Sequence, residues 1–196
     1  MRVISGSARG RRLLAPGNRF GSLIRPTSDR AREALFSILS HRVDDAAVLD
    51  LFAGTGALGV EALSRGAAQA VFVDGHRQVV ELITANLAAC GFTVRATVVL
   101  RDLTKGVGFL AALAPSGGFD LVFVDPPYAK GLAQATLTAI TASSAVLLAP
   151  NATIVVEDQA NAEFPDASGL WACVDQRRYG EAGFWFYRHT ETDGNE

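Results

Sequence analysis

The sequence predicts an α/β fold in which a mostly parallel sheet is covered by helices on both faces. From residue 46 onward, short apolar runs alternate with segments of helical periodicity, an order typical of strands joined by crossover helices. The runs up to residue 157 are predominantly apolar, as expected for strands buried on both faces. Two final runs, 170–178 and 183–188, are joined by only four residues, which predicts an antiparallel hairpin at one edge of the sheet.

Seven strands and five helices follow from this pattern. The first 14 residues carry Gly6 and Gly10 and predict a small hairpin, and residues 15–24 predict a loop. Thr27 or Ser28 would cap the first helix. A chain of 196 residues provides one good-sized core and is short for two domains. The predicted strands are 47–52, 70–74, 94–100, 119–124, 152–157, 170–178 and 183–188, and the predicted helices are 28–40, 56–65, 77–90, 103–114 and 132–148.

The arginines are unevenly distributed along the chain. Residues 1–42 hold nine arginines and no lysine against two acidic residues, whereas the remaining 154 residues hold nine basic and 18 acidic side chains. Such an excess is typical of a segment that binds phosphate groups, and guanidinium groups favour bidentate phosphate contacts. A general preference for arginine is the simpler alternative, but the excess stops at residue 42. The candidate phosphate-binding residues of this N-terminal extension are Arg9, Arg11, Arg12, Arg25, Arg30 and Arg32.

The composition disfavours several classes of protein. The N-terminus lacks the apolar segment of a signal peptide, and no apolar run approaches the roughly 20 residues of a membrane span. Cys90 and Cys173 are far apart and are expected to be free thiols, and the three histidines show no metal-ligand spacing. We therefore expect a cytoplasmic protein without a metal site.

A glycine-rich turn follows the first predicted strand and opens the next helix. Gly54, Gly56 and Gly59 have the GxGxxG spacing of dinucleotide-binding folds, and Asp74 lies 20 residues beyond Gly54. Asp50 would repel a pyrophosphate but suits the amino group of S-adenosylmethionine, a cofactor that carries an adenosine, a sulfonium and no phosphate. The predicted cofactor site comprises Asp50, Phe52, Ala53, Gly54, Thr55, Gly56, Asp74, Gly75, Asp102 and Leu103.

Four aspartates end four of the predicted strands. Because ligands of open α/β sheets bind beyond the carboxyl ends of the strands, Asp50, Asp74, Asp102 and Asp125 are expected to share one crevice. Asp74 would hold the ribose hydroxyls. Asp102 would contact the adenine amino group, with the backbone of Leu103 nearby, or it would cap a helix; the sequence leaves both roles open.

Asp125, Pro126, Pro127 and Tyr128 follow the apolar run at 119–124 and are the predicted catalytic residues. Two prolines cannot continue a central strand, so the chain leaves the sheet in a rigid turn. The turn presents a carboxylate, the carbonyl oxygen of Pro126 and an aromatic ring, and it therefore suits a planar substrate with an amino group, such as a nucleobase. A Pro-Pro loop exit without a chemical role is the simpler alternative, but the preceding strand and the following tyrosine favour the functional interpretation.

These segments carry a resemblance to a known family. The DLFAGTG run at 50–56 and the DPPY turn at 125–128 resemble class I S-adenosylmethionine-dependent methyltransferases that act on exocyclic amino groups. A closer similarity is to the bacterial 16S rRNA guanine-N2 methyltransferase family usually called RsmD, and it runs from residue 2 to about residue 188. The residues that carry it are Arg9-Gly10-Arg11, Arg25-Pro26-Thr27, Asp29-Arg30, Arg32-Glu33, Leu35-Phe36 and the GALGVEALSRG run at 56–66.

The resemblance implies a Rossmann-like class I methyltransferase fold with a seven-stranded sheet. It implies methyl transfer from S-adenosyl-L-methionine to the 2-amino group of guanine 966 in 16S rRNA, within the small ribosomal subunit or an assembly intermediate. It also adds Thr27 to the RNA-binding candidates. Family members often carry Glu where Asp74 stands. The carboxylate of Asp74 is on a shorter side chain and therefore extends less far toward the ribose.

The expected organisation is an RNA-binding extension at 1–42, a methyltransferase domain at 43–189 and a frayed tail at 190–196. A monomer is the simplest expectation for the oligomeric state.

Four alternatives remain open at this point. Two lie within the fold: a DNA adenine 6-amino methyltransferase, and a protein-glutamine methyltransferase, which usually has Asn where Asp125 stands. A third is an NAD-binding oxidoreductase, against which Asp50 and the DPPY turn argue. The fourth is a non-catalytic RNA-binding module, which would not need to keep all four residues of the turn.

Overall fold

The computed structural model of the protein describes residues 1–15, 28–128 and 131–190. In these residues, the helices are α1 (Asp29–Leu39), α2 (Ala57–Ser64), α3 (Arg77–Cys90), α4 (Leu132–Ala142) and α5 (Ser144–Leu147). The strands are β1 (Ala47–Leu51), β2 (Gln69–Asp74), β3 (Ala96–Leu100), β4 (Phe119–Val124), β5 (Leu148–Gln159), β6 (Ala167–Ser168), β7 (Trp171–Tyr179) and β8 (Ala182–His189).

The strands form a single sheet in the order β3-β2-β1-β4-β5-β8-β7-β6. Strands β1 to β5 pair in parallel, and β8, β7 and β6 are antiparallel to their neighbours. This arrangement confirms the predicted fold class and the antiparallel hairpin at the edge. The strand order reverses between β1 and β4, which is the point where open α/β sheets bind their ligands. The sheet has eight strands instead of seven because the two-residue strand β6 pairs with β7.

The sheet is buried on both faces. In β1, Leu49 and Leu51 pack into a core cluster with residues of α4, whereas Val48 packs into a second cluster with residues of α1, α2 and α3. Because side chains alternate along a strand, Asp50 lies on the same face as Val48. The carboxylate of Asp50 is thereby directed toward α2.

The N-terminal segment packs on the α2 side of the sheet. Val3, Leu13 and Phe36 belong to the same core cluster as Val48. The predicted small hairpin is reduced to one antiparallel bridge between residues 2 and 12. Backbone hydrogen bonds flank this bridge: the N–H of Val3 donates to the carbonyl of Arg11, and the N–H of Leu13 donates to the carbonyl of Met1. The hydroxyl of Ser28 accepts a hydrogen bond from the backbone N–H of Ala31 at 3.1 Å, which confirms one of the two predicted caps of α1.

Most element boundaries differ from the prediction by at most one residue, and larger differences occur at three places. The helix predicted at 103–114 is two short 3₁₀ helices, 103–105 and 108–112, separated by Gly106, whose φ of 106° no α-helix contains. The helix predicted at 132–148 is divided at Ser143 into α4 and the one-turn helix α5, and its last predicted residue, Leu148, instead pairs with Phe119 and opens a longer β5. The strand predicted from residue 94 begins at Ala96, after a 3₁₀ turn.

Some predictions fall on residues outside the described ranges. The loop at 16–24, the candidates Arg25 and Thr27, and all but the first residue of the tail lie there. Among the residues that the structure does describe, no helix has the length and apolar character needed to cross a membrane.

Candidate functional site at the switch point of the sheet

The glycine-rich turn between β1 and α2 is built from residues with left-handed backbone. Phe52, Gly54 and Gly56 have φ values of 58°, 55° and 75°, and Gly56 is the N-cap of α2. Glycine adopts such angles without steric cost. The backbone N–H of Ala53 donates to the carbonyl of Val73 at 3.1 Å. The turn is therefore fastened to the end of β2, next to the crevice.

Asn86 on α3 fixes the middle of the same turn. Its side chain is fully buried, and its Nδ2 donates to the carbonyl oxygen of Thr55 at 2.9 Å. The same amide accepts from the backbone N–H of Leu14 at 2.7 Å and donates to the carbonyl of Leu14 at 3.2 Å. Asn86 thus joins the N-terminal segment to the predicted cofactor turn. Sequence analysis missed this residue, because a single Asn in a helix carries no pattern.

Asp50 holds α2 against the sheet. Its Oδ2 accepts from the backbone N–H of Gly59 at 2.9 Å, and the residue is only 1% exposed. A Cβ at Gly59 would lie 2.3 Å from Cε1 of Phe72, so glycine is required for this close approach. Burial raises the pKa of Asp50 to about 7; the Gly59 hydrogen bond opposes this shift and the charge of Asp74 adds to it. A cationic ligand group would favour the ionised form of Asp50.

Asp74 ends β2 beside the turn. Its Oδ2 accepts from the backbone N–H of Gly54 at 3.2 Å, and its Oδ1 accepts from the backbone N–H of His76 at 3.0 Å. A Cβ on Gly75 would lie 3.6 Å from Cα of Asp102. The ends of β2 and β3 are therefore close, as the prediction of a shared crevice requires. The side chain of Asp74 is 10% exposed, so its carboxylate is at the crevice surface.

Asp102 has the cap geometry that the sequence left open. Its Oδ1 accepts from the backbone N–H of Thr104 at 3.0 Å and from the Thr104 hydroxyl at 2.6 Å. These hydrogen bonds, with a smaller contribution from Lys105, lower the pKa of Asp102. Asp102 is exposed and Leu103 is buried. The cap role is observed, and an adenine contact stays a prediction.

The turn at 125–128 lies on the other side of the switch point. The backbone N–H of Asp125 donates to the carbonyl of Leu51 at 3.4 Å, which links the turn to the end of β1. Pro126 is buried, Pro127 is exposed and Tyr128 is partly exposed. The structure thus brings Asp125 next to the Asp50 strand, whereas the ring of Tyr128 remains partly accessible.

Glu157 is a site residue that the sequence analysis missed. It lies on β5, is 3% exposed, and its Oε1 accepts a hydrogen bond from the hydroxyl of Tyr128 at 3.1 Å. The sequence did contain a signal for this residue, namely an acidic side chain at the end of a predicted strand. Glu157 ends the strand predicted at 152–157, just as the four aspartates end or follow theirs. Burial, followed by the charges of Glu157, Asp50 and Asp158, holds the pKa of Asp125 well above its usual range.

The crevice is therefore strongly acidic. Carboxylates at neighbouring strand ends suit ammonium groups, amino groups and hydroxyls, and they repel phosphates. This donor set fits S-adenosylmethionine better than a dinucleotide. Within the described ranges, no group of three or more His, Cys, Asp or Glu side chains is arranged to hold a metal ion.

The arginines of the N-terminal extension divide into two classes. Arg9, Arg11, Arg12 and Arg30 are exposed. Arg32 is fully buried. Its Nη2 donates to Oδ1 of Asp29 at 3.1 Å and to the backbone carbonyl of Arg2 in the N-terminal loop. The prediction that Arg32 faces a phosphate is corrected here, because a side chain with no exposed surface cannot reach one.

Glu61 is the buried partner of this arginine. Its carboxylate lies 3.8 Å from Nε of Arg32 and 2.7 Å from Nε of Arg65, and it accepts from the backbone N–H groups of Ile4 and Ser5 at 2.8 and 3.0 Å. One carboxylate on α2 thus anchors the N-terminal loop and α1 together. The extension is consequently held against α2, the helix that follows the glycine-rich turn.

A cleft of about 350 Å³ lies between this loop and the start of α1. Arg2, Arg9 and Arg30 line it, together with Asp29 and Glu33. It collects exposed guanidinium groups from two segments that are distant in sequence.

Comparison with known proteins places the chain in a family. The family model described as "Conserved hypothetical protein 95" matches residues 1–188. YlbH of Bacillus subtilis (strain 168) is 36% identical over 188 residues, which cover 96% of this chain and 98% of YlbH. "Ribosomal RNA small subunit methyltransferase D" of Escherichia coli (strain K12) is 35% identical over 188 residues, covering 96% of this chain and 89% of that protein.

A solved structure agrees with these relatives. The structure of yhhF from Escherichia coli is 35% identical, covers 96% of this chain and 97% of its own, and superposes with a TM-score of 0.78. A match over nearly the whole chain includes both the extension and the sheet. The chain therefore belongs to the family described as Conserved hypothetical protein 95, the RsmD family of S-adenosylmethionine-dependent methyltransferases.

Proposed function

We propose that the protein transfers a methyl group from S-adenosyl-L-methionine to the 2-amino group of one guanine of 16S rRNA, guanine 966. The substrate would be the small ribosomal subunit or an assembly intermediate, in the cytoplasm. One observation carries the proposal: the Asp125 turn and the Asp50–Asp74 cofactor turn flank the same switch point of the sheet, with Asp125 hydrogen-bonded to β1.

The cofactor would be held by the residues of the glycine turn. Asp74 would bind the ribose hydroxyls, and Asp50 would balance the charge of the amino group. The backbone of the turn at residues 52–56, which carries no bulky group at Gly54 and Gly56, would leave room for the ligand. When bound, S-adenosylmethionine supplies a methyl group on a sulfonium, and the electron pair of the broken carbon–sulfur bond stays on sulfur.

The base would be engaged by the DPPY turn. A paired or stacked guanine cannot present its amino group to the crevice, so the base must be turned out of its stack. Tyr128 would stack on the base, and Asp125 together with the carbonyl oxygen of Pro126 would accept hydrogen bonds from the 2-amino group. These bonds orient the nitrogen lone pair and offset the positive charge that develops on nitrogen.

The extension at 1–42 would bind the phosphate groups of the rRNA backbone. The cleft lined by Arg2, Arg9 and Arg30 supports this part of the proposal, since exposed guanidinium groups are the usual phosphate ligands. Arg12 lines a neighbouring cleft together with Arg2, and Arg11 is exposed. Arg25 and Thr27 remain candidates by resemblance. The acidic crevice disfavours phosphates, so the RNA backbone would run along the extension while the base enters the site.

The direct test is methyl transfer from labelled cofactor to small-subunit particles from cells that lack the endogenous enzyme. The modified nucleoside is identified by mass spectrometry, and N2-methylguanosine at one site is expected. Asp125→Ala should abolish transfer and retain cofactor binding, whereas Glu163→Ala, which removes an exposed carboxylate, should leave both unchanged. Transfer to DNA with N6-methyladenine as product would refute the guanine assignment, and a fully active Asp125→Ala enzyme would refute the role of the turn.

A further inference from the structure

We propose that Glu157 is a positioning residue of the transfer site: its carboxylate holds the ring of Tyr128 through the phenol hydroxyl and keeps Asp125 a competent proton acceptor. This inference rests on the proposed methyl transfer to a base amino group. It concerns a residue on β5, outside the glycine turn and outside the DPPY turn. The carboxylates of the acidic crevice would then have different roles.

The register of the sheet places Glu157 beside Asp125. Val124 of β4 pairs with Val156 of β5, so the next residues, Asp125 and Glu157, stand at the same level of the sheet. Phe123 and Val155 belong to the core cluster on the α2 side, and alternation directs Asp125 and Glu157 to that side as well. The two carboxylates are thus lateral neighbours on one face.

Tyr128 is restrained at both ends by this arrangement. Its backbone follows two prolines, whose fixed φ angles stiffen the turn. Its hydroxyl donates to Oε1 of Glu157 at 3.1 Å. A ring held by its backbone and by its para-hydroxyl keeps one orientation before the base arrives, so less conformational entropy is lost when the base stacks on it.

An acidic neighbour assists Asp125 in the proton step. When the 2-amino nitrogen has formed its bond to the methyl carbon, it carries a positive charge and must lose one proton. The ionised carboxylate of Asp125 takes that proton and becomes neutral, which balances the step. Burial raises the pKa of Asp125 most, and the neighbouring carboxyl groups of Glu157 on β5, Asp50 on β1 and Asp158 on β5 raise it further in that order. A higher pKa makes Asp125 a stronger base.

Two substitutions separate the two actions of Glu157. Glu157→Gln removes the charge but keeps a carbonyl oxygen that can accept from Tyr128. Tyr128→Phe keeps the ring but removes the hydroxyl. Asp158→Asn is the matched control, because it removes one negative charge from the next position of β5, whose side chain alternates to the opposite face.

The expected result is a shift in the pH profile of kcat/KM. Glu157→Gln should lower the pKa of Asp125 and move the acid limb of the profile down by about one pH unit, with a several-fold lower kcat at high pH. Asp158→Asn should shift the limb much less. Tyr128→Phe should raise KM for RNA several-fold. Its effect on KM should be reduced in a Glu157→Ala background, which removes the carboxylate that accepts from the Tyr128 hydroxyl.

Two results would overturn the proposal: equal or absent shifts in the Glu157→Gln and Asp158→Asn profiles, or an undiminished effect of Tyr128→Phe in Glu157→Ala. If Glu157→Gln fails to fold, the pH profile of kcat/KM is measured with Glu157→Asp, which keeps the negative charge. The proposal then requires that the acid limb of this profile is the same as in wild type. The pH dependence of unfolding needs no RNA and should be weaker in Glu157→Gln than in wild type. This readout separates a failure of the present inference from a failure of the proposed function.

Discussion

Replacing Gly59 by alanine should separate α2 from the sheet. The added Cβ would lie 2.3 Å from Cε1 of Phe72, whereas ordinary contacts begin near 3.4 Å, so α2 or the Phe72 ring must move by about 1 Å. Phe72 is fully buried and has no space to yield. Such overpacking costs about 1–3 kcal/mol, and the better helix propensity of alanine returns about 1 kcal/mol. We expect a net loss of about 1 kcal/mol and at most about 2 kcal/mol.

The same displacement should weaken cofactor binding. The backbone N–H of Gly59 donates to Asp50, so moving α2 also moves that hydrogen bond and the turn before it. Urea unfolding gives the stability, and titration with S-adenosylhomocysteine gives the affinity. Gly108→Ala is the control, because a Cβ there meets no atom within 4 Å. A Gly59→Ala protein with wild-type stability and affinity would refute the reasoning, and Phe72→Leu should partly rescue the variant.

The remaining predictions concern charged groups. Arg32→Ala should cost about 3 kcal/mol of stability, because it leaves a buried ion-pair network incomplete; urea unfolding measures this, and a loss as small as that of Arg30→Ala would contradict it. Arg30→Ala should instead weaken RNA binding and reduce its salt dependence by about one released counterion, as filter binding at several salt concentrations would measure. For Asp50, the raised pKa means that the native state binds a proton that the unfolded chain has lost. This proton binding adds to the free energy of unfolding; the contribution is full below about pH 4 and disappears as pH rises through about 7. The shift corresponds to about 4 kcal/mol, and Asp50→Asn should show a flatter pH dependence of unfolding than wild type; equal slopes would contradict the burial argument.

Local patterns in the sequence predicted the two turns of the candidate site. The spacing of Gly54, Gly56 and Gly59 together with two strand-ending aspartates indicated the cofactor turn, and the structure gives each glycine a matching backbone or packing role. The proline pair after β4 indicated a rigid exit from the sheet. Such features depend on a few adjacent residues and on strand periodicity, which a sequence displays directly.

Residues that act through distant partners could not be assigned in the same way. Arg32 had the sequence context of the exposed arginines, but its position on the inner face of α1 brings it to Glu61, and only the packing of α1 on α2 decides this. Likewise, Leu148 is in a strand and not in the predicted helix because it pairs with Phe119, and local helix propensity does not indicate this pairing.

The sequence by itself determined the fold class, the two turns that flank the switch point and the uneven charge of the chain, because each is written in composition, periodicity or short-range spacing. The tertiary structure alone decided which carboxylates become neighbours and which arginine is buried. Asp125 and Glu157 are 32 residues apart in the sequence, and the parallel register of β4 and β5 sets them side by side. Burial and mutual repulsion then raise the pKa of Asp125, since these effects depend on distance in space and on exclusion of water.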